Sequence, residues 1–383
     1  MENSLCGKNI LRTADLAKEE LETVLQTAKR LRELREKNRS PKIFDSGLAV
    51  SMVNNNRDAG MDFAFAAGCD LLGLTLREIP GRAQNGAIEE EAAMTSFFSD
   101  VVGIRDSEYI EKSSRYMKRM ADSYERNAEG GAVSGWPFVL NLQSDEDSPV
   151  ETLSLLEAAA EKFGGTENLK GKKLALCWVY SPDGTRPLAV PQGILSLFSR
   201  FGFAITLASP KGYDLMPGTE EKTAEACQKS GGSFTKVSTM EEALDGADIV
   251  CPVNWAPYSF LESKTEIYAG TSDVSPELLE MELKEKNAAL VDWEYTESRE
   301  ERTKDGKAAL YHPLPADVTD LSCVRGEMTA QVYHAHAADL FGTAENRPYI
   351  VAALILLSRC EEPEEAFAAM EKEGAKRCFG KKG

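Results

Sequence analysis

The chain has 383 residues, 42% of them hydrophobic and 28% charged, with a formal net charge of −18. That length exceeds what one ordinary core organises and suits two α/β domains, and the balance of apolar and charged residues belongs to a folded globular protein. No basic stripe exists to neutralise phosphates, which excludes a nucleic-acid partner; no apolar run approaches membrane-spanning length, so a cytoplasmic protein without membrane contact is expected.

Eight cysteines, at 6, 69, 177, 227, 251, 323, 360 and 378, show no C-x-x-C pair and no ligand spacing. Reduced thiols are expected, and no metal. There is no G-x-G-x-x-G and no Walker motif, so no dinucleotide, ATP or other cofactor is expected.

Leu16, Leu21, Val24, Leu25, Ala28 and Leu31 recur at helical spacing and predict a helix over 14–37 with Thr13 as its cap. A strand follows at 47–53, then the turn Asn54-Asn55-Asn56-Arg57-Asp58-Ala59-Gly60 and a helix over 61–71. Such a turn gathers backbone N–H groups at the positive end of a helix dipole, which suits an anion, although it also reads as a plain capped helix start. Residues 78–98 read as a Gly/Pro loop, with Arg82 its nearby cation, running into an acidic helix from Glu89 to Phe98. Val101-Val102-Gly103-Ile104-Arg105-Asp106 is a buried strand that ends in a charge pair, which by itself also fits a surface ion pair. A strand over 137–142 and a helix over 149–163 follow.

Alternation then becomes regular: strand 174–180, helix 191–201, strand 203–208, helix 218–230, strand 234–237, helix 239–245, strand 247–252, helix 275–284 and strand 287–293. This predicts a parallel sheet covered on both faces. The Pro-rich loop 180–192 and the segment 252–258 leave strand C-terminal ends, where open α/β sheets bind ligands, though turn chemistry and loop packing account for the same residues. A β-prone run, 308–311, leads into His312-Pro313-Leu314-Pro315-Ala316, whose prolines forbid helix and strand and fix the His at a strand edge. Finally Thr343-Ala344-Glu345-Asn346-Arg347-Pro348-Tyr349 opens a helix predicted over 347–359, with a Lys-rich end beyond it.

His-Pro-Leu-Pro at 312–315, followed by Glu345-Asn346-Arg347 opening the last long helix, resembles the aspartate/ornithine carbamoyltransferase family. The likeness runs over most of the chain and is greatest to the knotted carbamoyltransferase-like proteins of purine-catabolic gene clusters. It implies two doubly wound parallel-sheet domains: 1–150 plus 346–383 on the carbamoyl-phosphate side, and 151–345 on the amino-acid side. It further implies a trefoil knot that threads loop 180–192 with segment 252–258. The implied activity is transfer, or reverse transfer, of a carbamoyl group to an amine or ureido small molecule at an interdomain site. The implied assembly is a homotrimer in which the Pro80–Gly86 loop crosses to a neighbour.

Residue by residue, the resemblance has Arg105 and His312 polarising the carbamoyl oxygen and Arg347 orienting the group. It assigns substrate contacts to Asn55, Asn56 and Arg57 in the phosphate turn, to Gln84 in the crossing loop and to Glu151. Tyr180, Asp183, Gln192, Asn254, Trp255, Pro313 and Leu314 would frame the second substrate. Two motifs depart from the family. Where it has Ser-x-Arg-Thr-Arg, this chain has Asp58-Ala59-Gly60-Met61-Asp62; where it has His-Pro-x-Gln, this chain has Ser148-Pro149-Val150-Glu151. Carboxylates facing a phosphate dianion oppose binding. Two alternatives therefore stand beside ordinary carbamoyl transfer: a substrate without phosphate, and a non-catalytic paralogue acting as a scaffold or regulatory partner.

Overall fold

The structure is a computed structural model that describes residues 3–44, 47–53, 59–80, 88–133 and 135–373. The chain divides into two compact units, one formed by Met1–Asp106, Lys112–Ser144 and Glu345–Gly383, the other by Ser107–Glu111 and Asp145–Ala344.

The first unit opens with α1 (Lys18–Glu36), then β1 (Leu48–Val53), α2 (Ala59–Leu72), β2 (Thr75–Pro80), α3 (Ile88–Ser96), β3 (Val101–Arg105), α4 (Ser113–Glu129) and β4 (Phe138–Gln143). Its four parallel strands lie in the order β2-β1-β3-β4. Strands covered on both faces need continuous apolar runs, and all five residues of β3 are buried. Helix α1 starts later than Thr13 would place it: Thr13–Asp15 is a separate 3₁₀ turn, and Glu20 reaches back to accept from the Ala17 N–H at 2.8 Å. Residues 75–80 form a strand, so 78–80, read as the start of a loop, are paired instead: Leu76 to Ile79 lie in register with Ala49 to Met52.

The second unit runs α5 (Pro149–Phe163), β5 (Lys173–Trp178), α6 (Ala189–Phe198), β6 (Ala204–Ala208), α7 (Thr219–Ser230), β7 (Ser233–Val237), α8 (Met240–Leu244), β8 (Ile249–Val253), α9 (Tyr258–Tyr268), α10 (Pro276–Ala288), α11 (Glu297–Glu300), β9 (Ala309–Leu310), β10 (Val318–Thr319), β11 (Met328–Thr329) and α12 (Ala330–Ala335). Five parallel strands take the order β7-β6-β5-β8-β9, and β10 and β11 form a two-stranded ribbon beside them. The expected strand over 287–293 does not form. Helix α10 continues to Ala288, the Leu290 N–H turns back onto the Asn287 carbonyl at 2.8 Å, and Tyr295 makes an isolated bridge to Met328. Asn-Ala-Ala-Leu extends a charged helical run more readily than it starts a strand.

Helix α13 (Ala337–Arg359) begins in the second unit and ends in the first, where α14 (Pro363–Glu373) follows it. Glu345-Asn346-Arg347 was expected to open this helix, with Pro348 at its first turn. It lies instead inside an element that starts at Ala337, and Pro348 sits in the helix interior. In the first unit α2 meets α13 at Gly68, where a Cβ would fall 2.5 Å from Val351 Cγ1 and 2.8 Å from the Pro348 carbonyl oxygen. Among the described residues no helix is long and apolar enough to cross a membrane.

Candidate functional site

Arg105 ends β3 in the first unit, in register with Val53, the last residue of β1. The segment read as a phosphate turn, with Asn55, Asn56 and Arg57, lies outside the described residues, as does Gln84. Arg105 and Asp106 are both buried, so they are not a surface pair. Arg105 Nε stands 3.6 Å from Oδ1 of Asp62, in the first turn of α2. Asp106 accepts from Ser113 Oγ at 3.0 Å. The cation that the resemblance points at a carbamoyl oxygen is thus met by a carboxylate of its own chain. Arg347 is buried in the part of α13 that belongs to the same unit.

In the second unit His312 follows β9, whose Leu310 pairs with Val250, so His312 and Asn254 leave the C-terminal ends of neighbouring strands. His312 is fully buried, and its Nε2 lies 3.1 Å from Oε1 of Glu327, itself fully buried. Arg186 Nη1 donates to both Glu327 oxygens, at 3.0 and 3.2 Å, and Nη2 to Asp317 at 2.8 Å. The Asp317 N–H donates to Glu327 Oε2 at 2.7 Å, and Ser181 Oγ to Asp317 at 2.6 Å. Burial pushes the Glu327 carboxyl up, but the charges of His312 and Arg186 outweigh it and hold the carboxyl below its ordinary value. Burial works against the Arg186 guanidinium, and Glu327 and Asp317 more than compensate, raising it.

Because Nε2 faces Glu327, the other ring nitrogen points elsewhere. Among the described residues no protein group hydrogen-bonds His312 Nδ1 or Asn254 Oδ1, and Nε2 meets Glu327 as a close ion-pair contact rather than through a well-formed hydrogen bond; all three atoms are buried. Buried polar atoms are rarely left without a partner. Asn254 spends its Nδ2 on the Val179 carbonyl at 2.6 Å.

The remaining expected contacts are engaged in packing or turn chemistry. Gln192 donates to the Asp145 carbonyl at 3.1 Å and accepts from the Met216 N–H at 3.0 Å. Trp255 is fully buried and donates its indole N–H to the Tyr213 carbonyl at 3.1 Å. Asp183 is exposed and accepts from the Thr185 hydroxyl at 2.6 Å. Tyr180 is half-buried, with its backbone N–H on the Trp293 carbonyl at 2.7 Å. Pro313 and Leu314 are half-buried, and Leu314 packs against the core. Glu151 is buried in the first turn of α5, where the helix dipole favours a carboxylate.

Sequence reading missed Arg186, Asp317 and Glu327. Arg186 was legible in principle as the arginine of a Pro-rich loop at a strand end. Glu327, between Gly326 and Met328, carries no local signal at all.

Residues 171–358 match the sequence model of the family described as aspartate/ornithine carbamoyltransferase, Asp/Orn binding domain. The chain is 38% identical over 374 residues to YgeW of Escherichia coli (strain K12), a protein that bears the name of a carbamoyltransferase, with 97% of this chain and 94% of that one covered. It is 25% identical over 361 residues to the ornithine carbamoyltransferase of Halalkalibacterium halodurans, covering 92% and 95%. Among solved structures it resembles N-acetyl-L-ornithine transcarbamylase with a TM-score of 0.72 at 22% identity, covering 91% of this chain and 98% of that one. Ornithine carbamoyltransferase from Pyrococcus furiosus gives 0.71 at 20% identity, covering 93% and 98%. The fold, the matched region and the full-length relatives agree: this chain belongs to the aspartate/ornithine carbamoyltransferase family.

Proposed function

We propose that the protein exchanges a carbamoyl group between an amine and a small carbamoyl or ureido compound that lacks phosphate. The observation that carries the reading is His312, whose Nε2 faces buried Glu327 at 3.1 Å while Nδ1 is buried and, among the described residues, without a protein hydrogen bond. With Nε2 facing the carboxylate, the neutral form of His312 would present a lone pair on Nδ1. As the amine nitrogen bonds to the carbamoyl carbon, Nδ1 takes the proton that it sheds and then returns it to the departing amine nitrogen as the bond from that nitrogen to the carbamoyl carbon breaks, Glu327 stabilising the imidazolium between the two transfers. This role differs from the polarising one that the resemblance implied. Asn254 Oδ1, unpartnered and buried, supplies an acceptor for a carbamoyl NH₂.

Exclusion of phosphate rests on Asp62. A carboxylate 3.6 Å from Arg105 already meets the cation that a phosphate or carbamoyl oxygen would use. A second anion there faces like charge in a partly buried site, where each factor of ten in affinity corresponds to about 1.4 kcal/mol. The same pair favours the second reading, a non-catalytic paralogue serving a partner. The division of the two units into a carbamoyl side and an amino-acid side, the knot and the homotrimer belong to the same proposal. The knot is supported by the Ala256 N–H donating to the Arg186 carbonyl at 2.8 Å, which brings loop 180–192 against segment 252–258.

Calorimetry with an N-carbamoyl amino acid and with carbamoyl phosphate tests it. The ureido acid should bind, carbamoyl phosphate at least about tenfold more weakly, and His312→Gln should abolish ureido binding. Asp62→Asn should narrow the gap. No heat with either ligand, or equal binding by His312→Gln, leaves only the scaffold reading.

A further inference from the structure

We propose that the second unit carries a separate site for a small oxyanion-bearing metabolite, a carboxylate or a phosphate monoester, in a cleft of about 470 Å³ bordered by Arg299, Arg302 and Arg325. That volume falls in the range of small-molecule sites. A chain of net charge −18 repels free anions, so any anion it binds must be captured by local cations.

The three guanidiniums are prepared differently. Arg299 is immobilised: Nε donates to Glu241 at 2.9 Å, and Nη1 to the carbonyls of Asp292 and Glu294, both at 2.6 Å. Arg325 Nη1 is held by Glu294 Oε2 at 2.9 Å. Glu294 is in turn buried and accepts from the Thr319 hydroxyl with its other oxygen, so it cannot follow Arg325 outwards. Glu241 and Glu294 are therefore spent on the two arginines they steady. Arg302 is different. It is exposed, and among the described residues no side-chain hydrogen bond or ion pair takes up its guanidinium, although its charge helps to lower the Glu241 carboxyl.

One free fork beside two anchored ones suits bidentate recognition of a carboxylate or phosphate, with little left to order on binding. The Thr296 and Ser298 hydroxyls, 3.0 Å apart, and the exposed Asp292 carboxylate add partners for hydroxyl or ammonium groups beside the oxyanion. The ligand class is thus a hydroxylated or amino-bearing acid or phosphate ester. None of these residues belongs to the His312 cluster.

The test is calorimetry on the full chain with two probes, inorganic phosphate and succinate, using the unmodified protein, Arg302→Ala and Arg302→Lys. At least one probe should bind saturably, and the tighter one identifies the source of the oxyanion. Arg302→Ala should weaken it at least about tenfold with an unchanged melting temperature, and Arg302→Lys should fall between. His312→Gln should bind like the unmodified protein. Absence of saturable binding by both probes overturns the site, as does equal binding by Arg302→Ala. Loss of binding in His312→Gln would move the anion to the cluster proposed above and equally overturn this site.

Discussion

At the residue scale the decisive group is Glu327, a fully buried carboxylate shared between an imidazole and a guanidinium. Removing one partner of a buried charge network leaves the others uncompensated, so Glu327→Gln should cost about 3–5 kcal/mol, read as a lower urea midpoint at pH 7. The pH dependence has a definite sign. The folded-state carboxyl is held below its ordinary value of 4.5, so its stabilisation is present above that value and is lost as pH falls through the lower folded one. Urea midpoints taken from neutral to acid pH should fall less steeply for Glu327→Gln than for the unmodified chain. An identical slope would remove Glu327 from the network. The sequence made His312 visible, because prolines on either side of a leucine announce a rigid strand exit. It could not make Glu327 visible, since its partners lie at positions 186 and 312 and nothing near 327 has a period.

At the scale of elements, residues buried on two faces were the legible ones. Strands β1, β3, β5 and β8 are mostly apolar runs, broken by Ser51 in β1 and bounded by Arg105 in β3 and Lys173 in β5, and their positions follow from that pattern. The misplaced elements are those whose identity rests on distant pairing. Thr75–Pro80 is a strand because of its ladder to β1, and among the described residues 287–293 joins no ladder, α10 running on to Ala288. The contact of α2 with α13 is equally hidden: Gly68 is an unremarkable glycine inside a helix until Val351 is placed against it. Gly68→Ala raises helix propensity, yet the added methyl overlaps both a side chain and a backbone oxygen. The expected result is destabilisation by about 1–3 kcal/mol, seen as a lower melting temperature. A rise would show that the two helices are free to separate.

For the whole molecule, large apolar side chains remain turned to solvent in the first unit: Phe63, Met94, Phe97 and Phe98, the last 92% exposed. Contiguous exposed apolar patches mark association surfaces, and Met94, Phe97 and Phe98 are close neighbours in the chain. This supports the proposed homotrimer; light scattering at micromolar concentration should give three times the 42.0 kDa chain mass, and a monomer would refute it. The same scale gives Pro348 a meaning that its place in a helix does not. Proline has no N–H, so the carbonyl of Ala344 receives no hydrogen bond along the axis. Ala344 is the last residue of one unit and Glu345 the first of the other. The missing hydrogen bond thus lies at the boundary within one continuous helix. Its two stretches are expected to open separately, each with its own unit. In amide exchange, the buried stretch 350–357 should protect as long as the first unit's core, while amides before Ala344 follow the second unit. Pro348→Ala, by supplying the missing donor, should draw the two decay rates together.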